Sequence, residues 1–508
     1  MGFQTVPELL ARVAMRTPDA PYLRWSDRGR VLTFAELDLL SAKAAGALRS
    51  LGVEQGDRVG LLAHNGLDYV VAMFATWRLG AISAHISVMT GHELADYANS
   101  CTPKVLVYTH DLFDAVDRDR PQMSSIASYL CMDGPQPGAK GWSDVVQAAD
   151  PLPIQNFDAS LPFHLSFTSG STGRPKGAVL GQEATVRATA CIAERLELTS
   201  QDSSLGATSP ASSYGLVAHW LPGLHRQMTV GLRKAFNASE VFDDIEANNV
   251  TYLASNPPQL KDLLVECRSR GHAPTSLKLV VSGGEAVPAE LKRAYYDELG
   301  IAFCESYGQS ELGGFVGLGR RSRPPEDLFG SVGEPLPDKE VRVLNDAGSE
   351  VPTGEAGELC IRGGYMVGYW QEPEKTDSAI RDGWLHTGDL GRMATTGHIT
   401  TLGRYSERIE TPTGVVLPRA IEDALISCHE AVRHVAVVPG PDGPRAVVAL
   451  WPDQISAPSA DLLVALYRAR DDKADQRLHD VVVIDTMPMT STGKLDRVAL
   501  RSAYGTPS

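Results

Sequence analysis

Short apolar runs alternate with helix-length amphipathic stretches through the first three-fifths of this 508-residue chain, and that alternation constrains the fold more than any other feature. Residues 57–62, 81–84 and 104–108 read as buried strands, and residues 67–79 and 93–100 between them read as helices. The pattern returns as strand 250–253 with helix 258–268, then strand 277–282 with helix 288–299. Strands separated by helices of about 10–15 residues close as parallel pairs with crossovers. The class predicted is therefore α/β, mixed with α+β, with parallel-rich sheets in a large N-terminal domain. Upstream, residues 6–15 and 34–51 predict two amphipathic helices, and residues 23–25 and 31–33 a hairpin. Beyond Gly330, strands 341–344, 357–362 and 398–402 predict a small β-rich unit spanning about 330–402. Polar Gly403-Arg404-Tyr405-Ser406-Glu407 then interrupts the strand pattern. Helix 418–428, strands 435–438 and 446–450, helix 461–467 and strand 481–484 form a separate α+β unit of domain size. The division predicted is 1–402, a hinge at 403–406, and 407–508. Residues 151–162 read as a surface connection.

Thr168-Ser169-Gly170-Ser171-Thr172-Gly173-Arg174-Pro175-Lys176-Gly177 packs three glycines, four hydroxyls and two cations into ten residues. It lies between apolar runs, so a turn between two strands is expected there. Glycines let backbone N–H groups approach phosphate oxygens, the hydroxyls donate further bonds, and Lys176 and Arg174 supply positive charge. The spacing is not that of a Walker A loop, because Pro175 and Lys176 follow Gly173. The plainer reading is a Ser/Gly linker, against which the Pro-Lys-Gly exit into an apolar run speaks.

Composition narrows the partners. A net charge of −15 argues against a general nucleic-acid surface, which needs a basic face. Seven scattered cysteines without a C-x-x-C pair indicate neither a zinc site nor a disulfide framework, and suit reduced thiols in a cytoplasm. No run approaches about 18 apolar residues, so no membrane span is expected, and the N-terminus does not read as a signal peptide.

Four more segments carry chemistry. Tyr307-Gly308-Gln309-Ser310-Glu311 places a hydroxyl and a carboxylate just past strand-like Ala302-Phe303, where a carboxylate near polyphosphate suits Mg²⁺. Thr387-Gly388-Asp389 offers an acceptor for both hydroxyls of a ribose. Gly403-Arg404 lies at the domain border. Pro488-Met489-Thr490-Ser491-Thr492-Gly493-Lys494 holds a lysine on a small-residue loop, suited to a point-charge contact with phosphate. Singly these residues also read as surface groups and turn formers.

In this order, with Gly357-Glu358-Leu359, Gly368-Tyr369 and Gly383-Trp384-Leu385-His386-Thr387-Gly388-Asp389, the chain resembles the adenylate-forming superfamily, in its acyl- and aryl-CoA ligase branch. The resemblance covers essentially the whole chain. It implies two steps: a carboxylic acid attacks ATP to give an acyl-adenylate and pyrophosphate, then CoA attacks the adenylate and releases AMP. It implies ATP, Mg²⁺ and CoA as cofactors and substrates, a mobile C-terminal domain, and a possible homodimer. By the same resemblance, Thr168, Ser169, Gly170, Ser171, Thr172, Gly173 and Lys176 handle the β- and γ-phosphates. Ser310 bonds the α-phosphate, and Glu311 with Thr172 holds the metal. Asp389 and Arg404 serve the ribose, and Gly284, Glu285, Tyr307 and Gly308 border the nucleotide. Gly283, Ser306, Ser213 and Tyr214 border the acyl pocket, and Lys494 bridges carboxylate and α-phosphate. In-line displacement at phosphorus needs positive charge placed on developing negative oxygens.

Three departures stand out. The family's Pro-x-x-His-x-x-Gly gate appears as Pro210-Ala211-Ser212-Ser213-Tyr214-Gly215, without the histidine and one residue shorter. Small residues there favour a roomy pocket for an aryl or cyclic acid of secondary metabolism. The hinge residue, commonly Asp or Lys, is Ser406, which tolerates a φ/ψ change. The glycine of the pantetheine tunnel is Thr413, with Gly414 displaced by one, and the usual Tyr-Lys-x-Pro is absent around residues 476–480. The leading expectation is an AMP-forming acyl-CoA ligase. Alternatives are a specialist in one half-reaction, an adenylation protein serving a carrier protein, and a non-catalytic acyl-adenylate binder. The absence of acid in residues 207–217 disfavours an α-amino acid substrate.

Overall fold

The computed structural model describes residues 5–168, 176–208, 212–451, 457–470, 477–490 and 495–506. Two large sheets form the N-terminal body. One has nine strands, with Tyr252–Ala254, Leu279–Gly283 and Ala302–Gln309 as consecutive parallel neighbours. The other has eight, centred on Arg58–Leu62, Ile82–His85 and Val105–Tyr108, also parallel. The predicted strand–helix alternation accounts for both. Helix Leu67–Arg78, buried at every residue but Asp68, packs on helix Phe34–Ser50 and on strands of both sheets. A helix apolar all round belongs inside a large core, and Trp77 and Phe74 fill it there. Helices Val6–Arg16 and Phe34–Ser50 start where the sequence places capping boxes, Thr5 with Glu8 and Thr33 with Glu36.

The β-rich unit is a five-stranded sheet of Glu340–Leu344, Gly357–Arg362, Trp384–Met393, Ile380–Arg381 and Ile399–Arg404. It is tied into the body: Glu334–Pro335 joins the nine-stranded sheet and Gly368–Tyr369 the eight-stranded one. The strand Ile399–Arg404 runs on through Gly403 and Arg404, so the expected polar interruption begins only at the 3₁₀ turn Tyr405–Glu407. Backbone pairing to Leu390 and Asp389 keeps Gly403 and Arg404 in the ladder, Gly403 with a positive φ of 117°. Beyond the turn stand the hairpin Ile409–Thr411 with Gly414–Val416, helix Pro418–Cys428 and the sheet Val432–Gly440, Gly443–Leu450 and Asp480–Ile484, around their own apolar cluster. Among the described residues no helix is long and apolar enough to cross a membrane.

Leu279–Gly283 and Ala302–Gln309 approach so closely that Gly283 lies opposite Ser306. A Cβ at Gly283 would overlap the Ser306 carbonyl and hydroxyl oxygens. Gly283→Ala is therefore expected to cost about 1–3 kcal/mol through forced strand separation. A denaturant midpoint equal to wild type would disprove that crowding.

Candidate active site

The carboxyl ends of Leu279–Gly283 and Ala302–Gln309 open into a cleft of 2420 Å³, bounded on its far side by the C-terminal unit. Ligands of open α/β sheets sit at that end of the strands, where connections diverge and backbone groups are free to bind them. Gly284, Glu285, Ser306, Tyr307, Gly308, Ser310 and Glu311 all line it. Alternation along Ala302–Gln309 puts Tyr307 and Gln309 on one face, and both reach Asp389. The Tyr307 hydroxyl donates to Asp389 Oδ2 at 2.7 Å, and Gln309 Nε2 donates to the same oxygen and to Thr387 O. Arg404 closes the other side, its Nε 3.0 Å from Asp389 Oδ1 and a guanidinium N–H on Thr387 O at 3.1 Å. Gly388 turns the chain with φ 67°, and the Thr387 hydroxyl accepts from the Asp389 N–H. Asp389 thus comes from the β-rich sheet and Tyr307 from the nine-stranded one. Burial first, then the Asp389 carboxylate, pushes the Tyr307 hydroxyl well above its ordinary pKa, so it stays a donor.

Glu311 sits in the 3₁₀ turn Ser310–Leu312 that follows the strand directly. Tyr369, from the third strand system, donates its hydroxyl to Glu311 Oε1 at 2.9 Å. Burial and then Glu311 raise the Tyr369 pKa, which leaves the carboxylate with a neutral donor on one oxygen. The Lys176 ammonium lies 5.7 Å from the Tyr369 ring centre. A carboxylate so placed, lining a cleft that Lys176 also lines, fits a hard cation shared with phosphate oxygens. Thr168 and Lys176 pair as the last and first residues of antiparallel strands, so the glycine-rich loop begins and ends beside Glu311's wall. Ser169, Gly170, Ser171, Thr172 and Gly173 lie outside the described residues, as does Lys494.

The C-terminal unit faces this cleft with Thr490, Leu495 and Asp496, which flank the position of Lys494. Met489 and Leu495 bridge, and the Asp496 N–H donates to Pro488 O at 2.9 Å. Ser406 lines the cleft too. Thr413 and Gly414 do not: they form the tip of the exposed hairpin, where Thr411 Oγ1 donates to Gly414 O at 2.6 Å. Ser213, Tyr214 and Gly283 also lie off the cleft. Ser212 caps the short helix Ser213–Gly215, and the Tyr214 hydroxyl turns inward to Val281 O at 3.3 Å, its ring against Phe315.

Three participants were not singled out from sequence. Gln309 and Tyr369 stand inside quoted motifs, but only the fold aims them at Asp389 and Glu311. Arg497 pairs in a bidentate manner with Glu422 at 2.7 and 2.8 Å and reaches Glu407 at 3.3 Å. That cluster binds Arg497 to helix Pro418–Cys428, a contact across 75 residues that no local pattern signals, and to the turn Tyr405–Glu407.

Glu311, Asp389, Arg404 and Lys176 thus share one cleft at the carboxyl ends of the strands, and the comparisons with known proteins define the class as an adenylate-forming enzyme. The chain belongs to the AMP-binding enzyme family, whose model matches residues 10–370. It is 31% identical over 507 residues to a feruloyl-CoA synthase of an Amycolatopsis species, covering 97% of this chain and 98% of that one. It is 28% identical over 499 residues to 4-coumarate–CoA ligase 5 of Oryza sativa subsp. japonica, covering 94% and 91%. Among solved structures it superposes on the anthranilate CoA ligase AuaEII in complex with anthranoyl-AMP, with a TM-score of 0.91 at 25% identity, over 99% and 97% of the two chains.

Proposed function

We propose that this protein is an AMP-forming acyl-CoA ligase acting on a bulky aryl or cyclic carboxylic acid. One observation carries the reading: Tyr307, Glu311, Asp389 and Arg404 meet in a single cleft that Thr490 and Leu495 also line. The relatives named above, which act on feruloyl, coumaroyl and anthranoyl groups, support the substrate class. In the first step Asp389 and Arg404 orient the ribose, and Ser310 and Lys494 meet the α-phosphate. Glu311 and Thr172 would hold Mg²⁺, which offsets charge on the phosphate oxygens. The residues from Ser169 to Gly173, with Thr168 and Lys176, cradle the leaving pyrophosphate. Ser306 borders the acyl side at the cleft wall, and Gly283, Ser213 and Tyr214, which lie off the cleft, support that wall from behind, Tyr214 through its hydroxyl on Val281 O.

The domain division 1–402, 403–406 and 407–508 and the pivot at Ser406 belong to this proposal, as do a cytoplasmic setting and a homodimer. The first is supported by the separate apolar cluster of the C-terminal unit, and the setting by seven cysteines none of which forms a disulfide. With Thr490 and Leu495 at the cleft and the Thr413–Gly414 tip away from it, the arrangement suits adenylation, and thiol attack requires the C-terminal unit to turn.

The test is a split assay on a panel of aryl and cyclic acids. One arm follows carboxylate-dependent ATP–pyrophosphate exchange, and the other follows thioester from synthetic acyl-adenylate and CoA. Activity in both is expected, and absence of both for every acid would sink the reading. The Pro412-Thr413 tip, where the family carries glycine, gives a sharper expectation. Thr413→Gly raises the thioester arm by about two- to tenfold without moving exchange, if a side chain there narrows the CoA path. Equal thioester rates would acquit Thr413.

A further inference from the structure

The Glu358-Leu359-Cys360 sequence puts a carboxylate and a thiol on one face of the strand Gly357–Arg362, because side chains two apart share a face. Cys360 is paired directly across to His386 on Trp384–Met393. The result is a compact set of unlike donors. Cys360 Sγ lies 3.3 Å from His386 Nδ1, and Glu358 Oε2 lies 2.8 Å from the same nitrogen. All three donor atoms fall within 4.8 Å of one another. Cys360 is fully buried, and the Glu358 and His386 side chains are 21% and 15% exposed.

One ring nitrogen is asked to satisfy two partners. If Nδ1 carries its proton, the carboxylate takes it and the thiol has no acceptor there. If Nδ1 is bare, the thiol donates to it and the carboxylate faces a lone pair. A cation at the centre satisfies all three at once. The other Glu358 oxygen already accepts the Gly388 N–H at 3.1 Å, which fixes the carboxylate, and the Arg381 guanidinium stays 4.0 Å away. Tetrahedral zinc, with bonds of about 2.3 Å to sulfur and about 2.0–2.1 Å to nitrogen and oxygen, places its ligand atoms roughly 3.3–3.6 Å apart. The two pairs that share His386 Nδ1 need to open by roughly 0.2–0.6 Å to reach that spacing, and Glu358 Oε2 and Cys360 Sγ start within 4.8 Å of each other. His386 borders the cleft, so a fourth position can be filled by water.

We propose that Glu358, Cys360 and His386 bind a divalent cation of the zinc class. On binding, Cys360 releases its thiol proton to solvent, His386 binds through bare Nδ1 with its proton on Nε2, and Glu358 binds through Oε2. The donor set is soft and mixed, unlike the all-oxygen environment at Glu311, so the two sites select different ions.

Metal-stripped full-length protein titrated with Co²⁺ reads this directly, since a thiolate-to-cobalt charge-transfer band arises only from a sulfur ligand. The expected result is a band that saturates at one equivalent, is displaced by Zn²⁺, and is absent in Cys360→Ser. No band in wild type, or an undiminished band in Cys360→Ser, overturns the proposal. Circular dichroism checks that Cys360→Ser is folded. Should it not be, His386→Ala, at the cleft edge, supplies the decision. It weakens Co²⁺ binding by more than about tenfold if the histidine is a ligand, and wild-type affinity in that variant overturns the assignment.

Discussion

Lys494→Ala abolishes carboxylate-dependent ATP–pyrophosphate exchange, by a factor on the order of 10²–10³, and leaves thioester formation from supplied acyl-adenylate standing. The reasoning is electrostatic. As the carboxylate attacks the α-phosphate, negative charge gathers on oxygens that share the cleft with Ser310 and Glu311. Thr490 and Leu495, on either side of Lys494 in the chain, line that cleft, and they are held by the Met489–Leu495 bridge and the Asp496 N–H on Pro488 O. A lysine ammonium supplies a compact point charge suited to such an oxygen. In the thiol step the adenylate bond already exists, and that charge is no longer required. The two arms of the split assay separate these cases. Equal loss in both would mean that Lys494 supports the domain rather than the first step.

Asp389→Asn raises the KM for ATP by about 30-fold or more, the equivalent of about 2 kcal/mol, with a smaller fall in kcat. The carboxylate now takes donors from Tyr307 and Gln309 and pairs with Arg404. An amide keeps the shape but turns one end into a donor facing donors, and it removes the charge that holds Arg404. The ribose then loses its fixed acceptor. Steady-state kinetics over an ATP titration, with a thermal melt to confirm folding, gives the comparison. An unchanged KM for ATP would remove Asp389 from the nucleotide site.

Much of the fold was legible because its elements carry strong local signals. Helix Pro418–Cys428 appears at the bounds its apolar spacing predicts. The strands Arg58–Leu62 and Val105–Tyr108 come within a residue of theirs, since each is a short apolar run ended by polar residues. Helix Gln182–Arg195 and strand Trp384–Met393 were not picked out. The first has no side-chain cap and a mixed face. The second is interrupted by Thr387-Gly388-Asp389, where Gly388 turns the chain, and only pairing to its neighbouring strands on either side of that bulge makes it one strand.

The sequence by itself determined the class of chemistry. Gly-rich loops, a Ser-Glu pair, a Thr-Gly-Asp turn and a loop lysine are local patterns whose residue types limit what they can bind. The tertiary structure alone decided which of them meet. Asp389 and Tyr307 are 82 residues apart, and Tyr369 and Glu311 are 58 apart. Each pair forms because separate sheets bring their strand ends to one cleft. The structure alone also turned Tyr214 inward, exposed the Thr413 tip, and set Cys360 opposite His386 beside Glu358. Such contacts depend on strand register and sheet packing, which a linear pattern does not encode, because the energy fixing them comes from apolar burial spread over the whole domain.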